Sequence, residues 1–247
     1  MTATASSSPK LRVDTRGTNE LPPHLDENLL TPRFYVTEFK KAAKTELTDA
    51  REEFEAMLSE MKADYNCTHF DRKASLDRLQ ELPQKAKETY ESYLVRSVIS
   101  EFSGFLLFKE ISNRLKKEGN RDLGKLFQFL ARDEARHAGF LSRALVAEGI
   151  EVDLPHLGGK RAATWFPISW VIYSVYLSEK IGYWRYILMD RHLKANPDQA
   201  FAPLFDFFEP WCQDENRHGD CFTVMMRCWP GITKGWRGKL LSRFFLW

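Results

Sequence analysis

The sequence predicts an all-α protein built around a four-helix bundle, and three observations support this fold class. Several long segments carry apolar residues at helical spacing, whereas Val, Ile and Thr do not gather into the alternating runs typical of strands. Pro and Gly stand where helices begin and end, with Pro83 and Gly119 bounding one segment and Pro167 opening another. A chain of 247 residues is also long enough to bury a substantial core.

Five helices follow from these signals in chain order. The first is amphipathic and begins near Thr48, a candidate N-cap, while Asn120 is a candidate N-cap for the third. Gly149 is a candidate left-handed stop after that third helix. The predicted spans are 48–64, 83–119, 120–148, 167–194 and 196–229.

The segment 149–166 is predicted to be a connector, long enough in extended form to run the length of a bundle. Two helix pairs joined by one long crossover form the ferritin-like arrangement of a four-helix bundle, which makes the helix at 48–64 an extra, flanking one. Pro203 and Pro210 fall within the last predicted helix and are expected to break or bend it, Pro210 just before Glu215.

Composition limits the class of protein further. Residues 1–26 are rich in Ser, Thr, Pro and charge, so we expect a disordered tail followed by a folded domain at 27–247. A net charge of only +2, without basic clusters interleaved with aromatics, argues against nucleic acid as a partner. No secretory signal is expected, and no cysteine pair has C-x-x-C spacing, which favours a reduced, cytoplasmic chain without a zinc ribbon. The cysteines are Cys67, Cys212, Cys221 and Cys228.

The apolar segment 165–189 resembles a membrane span in length. Glu179 and Lys180 fall near its middle, however, and charge at the centre of a bilayer is costly. A helix that is apolar nearly all round is more typical of the buried member of a soluble bundle. We therefore predict a bundle helix here, and docking of another part of the chain on a membrane surface stays open.

One five-residue arrangement, Asp-Glu-x-Arg-His, occurs at both 133–137 and 214–218. Because three residues nearly complete a helical turn, Glu134 and His137 project from one face about 5 Å apart, as do Glu215 and His218. The surrounding helix faces are apolar, and a carboxylate there must be paired, protonated or bound to metal. One Glu-x-x-His can arise by chance on a charged helix, but two matched copies favour a metal site.

A paired-metal site in a bundle needs one more glutamate from each of the other two helices. Glu101 in VISEFSGF and Glu179 in VYLSEKIGY meet this requirement, and both lie among apolar residues. Mixed oxygen and nitrogen donors suit iron or manganese better than zinc. The predicted metal ligands and catalytic residues are Glu101, Glu134, His137, Glu179, Glu215 and His218.

Four neighbouring residues are predicted to support these ligands. A ligating imidazole usually donates its other N–H to a carboxylate, and Asp133 and Asp214 each precede a motif glutamate by one residue. Arg136 and Arg217 can pair with these aspartates at i,i+3, and plain surface ion pairs are the alternative for all four. No metal role is expected for the remaining histidines, which are His24, His69, His156 and His192.

Longer stretches around these residues resemble the aerobic magnesium-protoporphyrin IX monomethyl ester oxidative cyclase family, a di-iron family of chlorophyll and bacteriochlorophyll synthesis. The resemblance covers nearly everything after residue 26 and implies that the same six residues bind iron. The stretches are NLLTPRFYVTEF (28–39), MKADYNCTHFDR (61–72), EFSGFLLFKE (101–110), RDEARHAGFL (132–141), YLSEKIGYWRY (176–186) and WCQDENRHGD (211–220).

The resemblance implies a monooxygenase-type reaction with two iron ions and O₂. Mg-protoporphyrin IX 13-monomethyl ester is hydroxylated and oxidised on its methylpropionate arm, which then joins the neighbouring meso carbon to give divinyl protochlorophyllide. Because the chain shows no G-x-G-x-x-G fingerprint and no cysteine cluster, electrons are expected to come ultimately from NADPH through a separate, ferredoxin-like donor. An accessory cyclase subunit and peripheral association with a photosynthetic membrane stay open. Members of the family continue past LLSRFFLW, which leaves truncation of this chain open as well.

Other classes of protein remain compatible with the residues alone. A ribonucleotide reductase small-subunit-like protein would need a radical-forming tyrosine close to the irons. A ferritin-like iron store or peroxidase would bind no porphyrin, and a non-catalytic scaffold of the pigment pathway would bind no metal. The tyrosines of the segment 167–194 are expected mainly to pack in the core, and they are Tyr173, Tyr176, Tyr183 and Tyr186.

Overall fold

A computed structural model describes residues 11–13, 25, 33–47, 50–68, 70, 73–77, 81–159, 162–228, 232 and 234–246. Within them lie eight α-helices and four short strands. The helices are α1 (Phe39–Ala43), α2 (Arg51–Ala63), α3 (Gln84–Lys117), α4 (Arg121–Ala147), α5 (Leu154–Gly159), α6 (Ile168–Ala195), α7 (Phe208–Cys228) and α8 (Gly235–Leu246). The strands are β1 (Leu11–Val13), β2 (Arg33–Val36), β3 (Ile150–Val152) and β4 (Ala162–Trp165).

The bundle consists of α3, α4, α6 and α7, with α3 packed along α4 and α6 packed along α7. The turn between α3 and α4 is short because Gly119 adopts a φ of 96° and the Asn120 side chain accepts a hydrogen bond from the Leu123 N–H at 3.1 Å. The predicted all-α bundle and the N-cap at Asn120 are thus confirmed. α1, α2, α5 and α8 are the flanking helices, and the N-cap expected at Thr48 lies outside the described residues.

The last predicted helix differs from the structure at its start. Residues Pro197–Gln199 and Pro203–Phe207 form two short 3₁₀ turns, and α7 begins only at Phe208. Pro210 therefore lies in the first turn of α7, where its missing N–H removes no intrahelical hydrogen bond. α7 continues unbroken from Phe208 to Cys228, so a break at Pro210 is wrong, and the bend expected before Glu215 loses its physical cause because no hydrogen bond is lost there.

The predicted connector 149–166 contains two strands and a short helix rather than extended chain alone. β3 pairs antiparallel with β1, and β4 pairs parallel with β2. Strands of three or four residues are too short to show an alternating pattern, so the sequence gives no warning of them. Within the segment 1–26, Leu11–Val13 form β1 and Leu25 is buried, while the disordered tail stays a prediction. The other residues of that segment lie outside those described, and the boundary at 26 stays a prediction.

Two hydrophobic clusters fill the bundle, one toward each end. The first includes Phe108, Phe127 and Phe222, and the second includes Tyr186 and Trp211. The stretches of the four long helices between these clusters carry buried acidic and imidazole side chains instead of apolar ones. Burying such groups costs free energy, so the polar layer marks a site and not a stabilising core.

The segment that resembled a membrane span lies in α6 of the bundle. Across the described residues, none of the helices has the length and apolar character needed to cross a membrane.

Candidate metal centre

The polar layer contains the two glutamates and two Glu-x-x-His motifs singled out in the sequence. Glu101 comes from α3, Glu179 from α6, and one motif each from α4 and α7. All of these side chains are buried, and both imidazoles are fully inaccessible to solvent. The structure thus brings the six predicted ligands together at the centre of the bundle.

The potential ligand atoms form two groups of three. Glu101, His137 and Glu215 form one group, and Glu134, Glu179 and His218 form the other; within each, the ligand atoms lie within 4.8 Å of one another. Each imidazole therefore meets the glutamate of the other motif, across the bundle. This exchange puts the two motif glutamates, Glu134 and Glu215, between the two halves of the site.

Both imidazoles face the carboxylates with the same nitrogen. His137 Nδ1 lies 3.3 Å from Glu101 Oε2 and 3.7 Å from Glu215 Oε1. His218 Nδ1 lies 3.0 Å from Glu179 Oε2 and 3.2 Å from Glu134 Oε1. The two halves are therefore near-repeats in chemistry as well as in sequence.

The other imidazole nitrogens face the aspartates that precede the motif glutamates. His137 Nε2 lies 3.1 Å from Asp214 Oδ2, and His218 Nε2 lies 3.5 Å from Asp133 Oδ2. At 3.5 Å the second contact is too long for a normal hydrogen bond, so His218 Nε2 has no hydrogen-bond partner among the described residues. The sequence predicts that these aspartates orient the imidazoles, and the structure adds that each aspartate faces the imidazole of the opposite motif.

The arginine pairs expected at i,i+3 are present, but only the pair of Arg217 and Asp214 forms a hydrogen bond. Arg217 donates a short hydrogen bond to Asp214, whereas Arg136 Nη2 lies 3.6 Å from Asp133 Oδ1. Arg136 instead donates at 2.8 and 2.9 Å to both carboxylate oxygens of Asp64. Asp64 ends α2 in the left-handed region, with a φ of 52°.

The turn after α2 contributes a residue that sequence reasoning missed. Asn66 is fully buried, and its Nδ2 donates to Asp214 Oδ1 at 2.7 Å and to the Pro210 carbonyl at 3.0 Å. It therefore holds the aspartate that faces His137. The only signal was its position in the conspicuous stretch MKADYNCTHFDR, since no helical spacing links it to either motif.

Two glycines were also missed, and they repeat the symmetry of the site. Gly104 follows Glu101 by three residues, and Gly182 follows Glu179 by three. A Cβ on Gly104 would lie 2.8 Å from Glu134 Oε2, and one on Gly182 would lie 2.6 Å from Glu215 Oε2. The sequence signal was a second repeated pattern, Glu-x-x-Gly, which makes room for the two motif glutamates.

Burial and neighbouring charges shift the pKa values of several groups in this layer. Burial, together with the charges of Glu101 and Glu179, raises the pKa of Glu134 and of Glu215 well above the ordinary range. Burial opposes protonation of His137, but the carboxylates of Asp214 and Glu101 outweigh it and raise the pKa of that imidazole. Four carboxylates this close cannot all be ionised without compensating positive charge.

This donor set fits two divalent metal ions. It offers four carboxylates and two imidazole nitrogens from four helices, which is the ligand composition of paired iron or manganese centres in helical bundles. Two divalent cations would neutralise the four carboxylate charges that otherwise force some of these groups to hold protons. No cysteine takes part, because Cys212 and Cys221 are free and lie in neither group.

Aromatic side chains support the layer from one end. Trp211 Nε1 donates to Glu215 Oε1 at 3.1 Å, and its ring lies 4.6 Å from that of His137 and 4.9 Å from that of Tyr186. The Tyr186 hydroxyl donates to Glu101 Oε1 at 3.2 Å. Tyr186 therefore does more than pack in the core, since its hydroxyl is hydrogen-bonded to Glu101, a predicted metal ligand.

A cavity of about 560 Å³ opens beside the layer. Glu101, Glu134, Glu179 and Glu215 are among its lining residues, whereas His137 and His218 are not. Small residues of α3 and α6 make the space, and they are Ser100, Ser103, Gly104, Ser174, Ser178 and Gly182. A volume of this size is typical of sites for organic ligands.

The bundle and its layer of paired Glu-x-x-His motifs define a ferritin-like di-metal carboxylate protein, and a family model described as Rubrerythrin matches residues 92–226. A protein of Prochlorococcus marinus strain MIT 9313, named magnesium-protoporphyrin IX monomethyl ester [oxidative] cyclase, is 74% identical over all of this chain and 70% of its own length. The chain belongs to this family of oxidative cyclases, which are oxidoreductases.

Further relatives carry the same name. The protein of P. marinus strain MIT 9211 is 75% identical, again over all of this chain and 70% of the relative. A protein of Thermosynechococcus vestitus, named cyclase 2, is 53% identical over 89% of this chain and 62% of the relative. No solved structure matches the chain.

Proposed function

We propose that this chain catalyses the O₂-dependent closure of the isocyclic ring, converting Mg-protoporphyrin IX 13-monomethyl ester to divinyl protochlorophyllide at a di-iron centre. The observation that carries the proposal is the buried set of four glutamates and two histidines beside a cavity of about 560 Å³. Relatives named for this cyclase supply the substrate class. The ferritin-like bundle supplies the class of metal centre.

The six ligands would hold two iron ions, and iron supplies the reduction of O₂ that is needed to hydroxylate an unactivated carbon. The residues around them fix the geometry. Asp133 and Asp214 would orient the two imidazoles, and Asn66 would hold Asp214 in place through its bond of 2.7 Å. The glycines at 104 and 182 leave the motif glutamates free to occupy the space between the two halves.

The cavity gives the substrate a route to this layer. The carboxylates that line it would face the arm that reacts, and the flat macrocycle would lie between α3 and α6, whose residues form most of the lining. Apolar residues such as Ile99, Leu107 and Val175 line the same space and would exclude water from the reacting carbon.

Electrons and partners belong to the same proposal. Hydroxylation reduces the second atom of O₂ to water and so needs two external electrons, which we expect from NADPH through a ferredoxin-like donor. An accessory cyclase subunit and a peripheral association with a photosynthetic membrane are also consistent with a macrocyclic, poorly soluble substrate. Purified protein should oxidise no NADPH without the donor.

Metal content and turnover test the proposal together. Anaerobically loaded protein should hold about two irons per chain and convert the magnesium porphyrin ester when a donor and O₂ are supplied. Glu134→Ala and His218→Ala should lower the iron content and abolish turnover, whereas Glu110→Ala and His192→Ala, which alter residues outside the layer, should change neither. Full activity of Glu134→Ala or His218→Ala would exclude the ligand assignment.

The alternative classes are separated by the same preparation. An iron store or peroxidase would hold iron but would not bind the porphyrin in a titration. A radical-storing protein would show a tyrosyl signal by electron paramagnetic resonance, and Tyr186, bonded to Glu101, is the residue whose replacement by Phe should remove that signal. Neither result is expected for a cyclase.

A further inference from the structure

The cavity beside the metal layer contains one basic side chain among the described residues that line it. This is Arg185, on α6, three residues after Gly182 and 3.8 Å from Glu101, one of the glutamates that line the cavity. Its side chain is 38% exposed, whereas the glutamates next to it are nearly inaccessible. The guanidinium thus lies at the boundary between the buried layer and the open part of the cavity.

Arg185 is held in position but keeps donors free. Nη2 donates to the Tyr186 hydroxyl at 2.8 Å and lies 3.8 Å from Glu101 Oε1, too far for a hydrogen bond. The guanidinium carbon lies 4.5 Å from the centre of the Tyr186 ring. Nε is buried and has no hydrogen-bond partner among the described residues. Of the five N–H donors of a guanidinium, one on Nη2 is bonded to Tyr186 and the one on Nε is enclosed, so the other N–H groups of the two terminal nitrogens remain for a ligand.

Arg185 is positively charged at any pH at which the protein is folded. An arginine guanidinium stays protonated in proteins because its ordinary pKa lies above about 12, so Arg185 carries a permanent positive charge. A permanently charged, partly dehydrated fork is the group that proteins use to bind carboxylates through two parallel hydrogen bonds.

The proposed substrate carries a group that this fork fits. A protoporphyrin monomethyl ester has two propionate arms on adjacent pyrroles, one esterified and one with a free carboxylate. When the esterified arm reaches the metal layer, the free arm must lie next to it, at the same edge of the macrocycle. Arg185 Nη2 lies 3.8 Å from Glu101 Oε1, so a free arm beside the reacting one would end close to this guanidinium.

We propose that Arg185 binds the free propionate carboxylate of the magnesium porphyrin and so selects the monomethyl ester over the dimethyl ester. The inference rests on the proposed function and specifies which substrate group is recognised. It also fixes orientation, because a carboxylate held at Arg185 leaves the esterified arm as the one that faces the glutamates. Arg185 is a specificity-determining residue in this account and takes no part in the reaction of O₂.

Binding of the two esters to iron-loaded protein under anaerobic conditions tests this inference. Magnesium-protoporphyrin IX monomethyl ester and its dimethyl ester would be titrated separately, with the change in porphyrin absorbance as the readout. The wild-type protein should bind the monoester at least about 10-fold more tightly than the diester, since a charge-assisted hydrogen-bonded pair is lost with the diester. Arg185→Met should weaken the monoester about 10- to 100-fold, leave the diester unchanged and bring their ratio close to one.

Two variants separate the role of the fork from a general effect of charge or folding. Arg185→Lys keeps the positive charge but not the planar guanidinium, and it should retain part of the preference for the monoester. Arg191→Met removes an exposed arginine of the same helix that lies outside the cavity, and it should retain the whole preference. Iron content and the circular dichroism spectrum of each variant show whether the layer and fold persist. If Arg185→Met is not folded, the ratio measured for Arg185→Lys decides: an unchanged preference overturns the inference.

The outcomes separate the inference from the proposed function. Equal affinity of the wild-type protein for both esters, or an equal loss of both in Arg185→Met, would overturn the role of Arg185 while leaving porphyrin binding intact. Binding of neither ester by iron-loaded wild-type protein would overturn the proposed function and the inference with it.

Discussion

The glycines beside the motif glutamates allow a sharp test of the metal layer. In Gly182→Ala the new Cβ would lie 2.6 Å from Glu215 Oε2, whereas ordinary contacts begin at 3.4 Å. The carboxylate must therefore move by about 0.8 Å, more than the roughly 0.5 Å within which functional groups must be held. Gly104→Ala requires a smaller movement of Glu134, since its Cβ would lie 2.8 Å from Oε2.

The two effects of this substitution should have opposite signs. Moving one carboxylate should weaken iron binding about 10- to 100-fold, as changes next to metal ligands commonly do. The metal-free fold should be as stable as before or slightly more so, because alanine is favoured over glycine in a helix by about 1 kcal/mol and the displaced group is the end of a flexible side chain. Gly182→Ala should lose more affinity than Gly104→Ala.

Ferrous iron titration and urea unfolding of the metal-free protein measure these two effects separately. Gly139→Ala is the matched control, because this glycine lies on α4 next to the first motif and a Cβ there meets nothing within 4 Å. Its iron affinity should equal that of the wild type. If Gly182→Ala binds two irons with wild-type affinity, Glu215 does not need its present position, and the ligand assignment fails.

Three further predictions concern the cysteines and Asn66. Replacing Cys67, Cys221 and Cys228 together by Ser should leave the iron content unchanged, because neither ligand group contains a thiol, and loss of half the iron would reveal an overlooked thiolate. Burial raises the pKa of the Cys221 thiol to about 12 from an ordinary 9, so between these values the unfolded chain loses a proton that the folded chain keeps. The free energy of unfolding should therefore fall as the pH rises, and it should fall more steeply in the wild type than in Cys221→Ala, by up to about 1.4 kcal/mol per pH unit. Urea unfolding at pH 8.5 and 10.5 measures both slopes, and equal slopes would contradict this prediction. Asn66→Ala leaves Asp214 without its bond of 2.7 Å and should cost about 1–3 kcal/mol in the same unfolding measurement, and an effect below about 0.5 kcal/mol would show that this contact is unimportant.

How far the sequence predicts this molecule depends on whether the relevant contact is local. Glu134 and His137 share a helix face because of their spacing, so that pair is visible in one segment of sequence. Glu101 and Glu179 could be added because a bundle requires one carboxylate from each remaining helix. The structure brings all of these side chains together, while their role as iron ligands stays a prediction.

Contacts between distant segments were the ones that sequence reasoning missed. Helical spacing shows which residues share a helix, but it does not show that Asp214 faces His137 or that Asn66 reaches Asp214 from the turn after α2. Helical spacing puts Gly182 on the same face as Glu179, but it assigns this glycine no role. Its close approach to Glu215 is visible only once two helices are packed.

The errors have local causes. The sequence predicts Pro210 to lie inside a helix that starts at Asn196, but α7 begins at Phe208, only two residues before this proline. The error is therefore in the predicted start of the helix. Asn196 and Pro197 are a suitable N-cap and first residue for a helix, but in the structure they belong to a 3₁₀ turn, Pro197–Gln199, that ends before α7 begins. The short strands were missed because their stability comes from pairing with distant chain.

Isotope labelling of the product tests the central claim, a di-iron oxidative cyclisation, most directly. Iron-loaded protein would be given the magnesium porphyrin monomethyl ester, a ferredoxin-like donor system and ¹⁸O₂, and the product would be examined by mass spectrometry. A di-iron oxidative cyclisation should give divinyl protochlorophyllide with one ¹⁸O atom in the new ring ketone, after correction for exchange with water. A ketone oxygen derived wholly from water would contradict it, as would the absence of any cyclised product from protein that holds two irons and binds the ester.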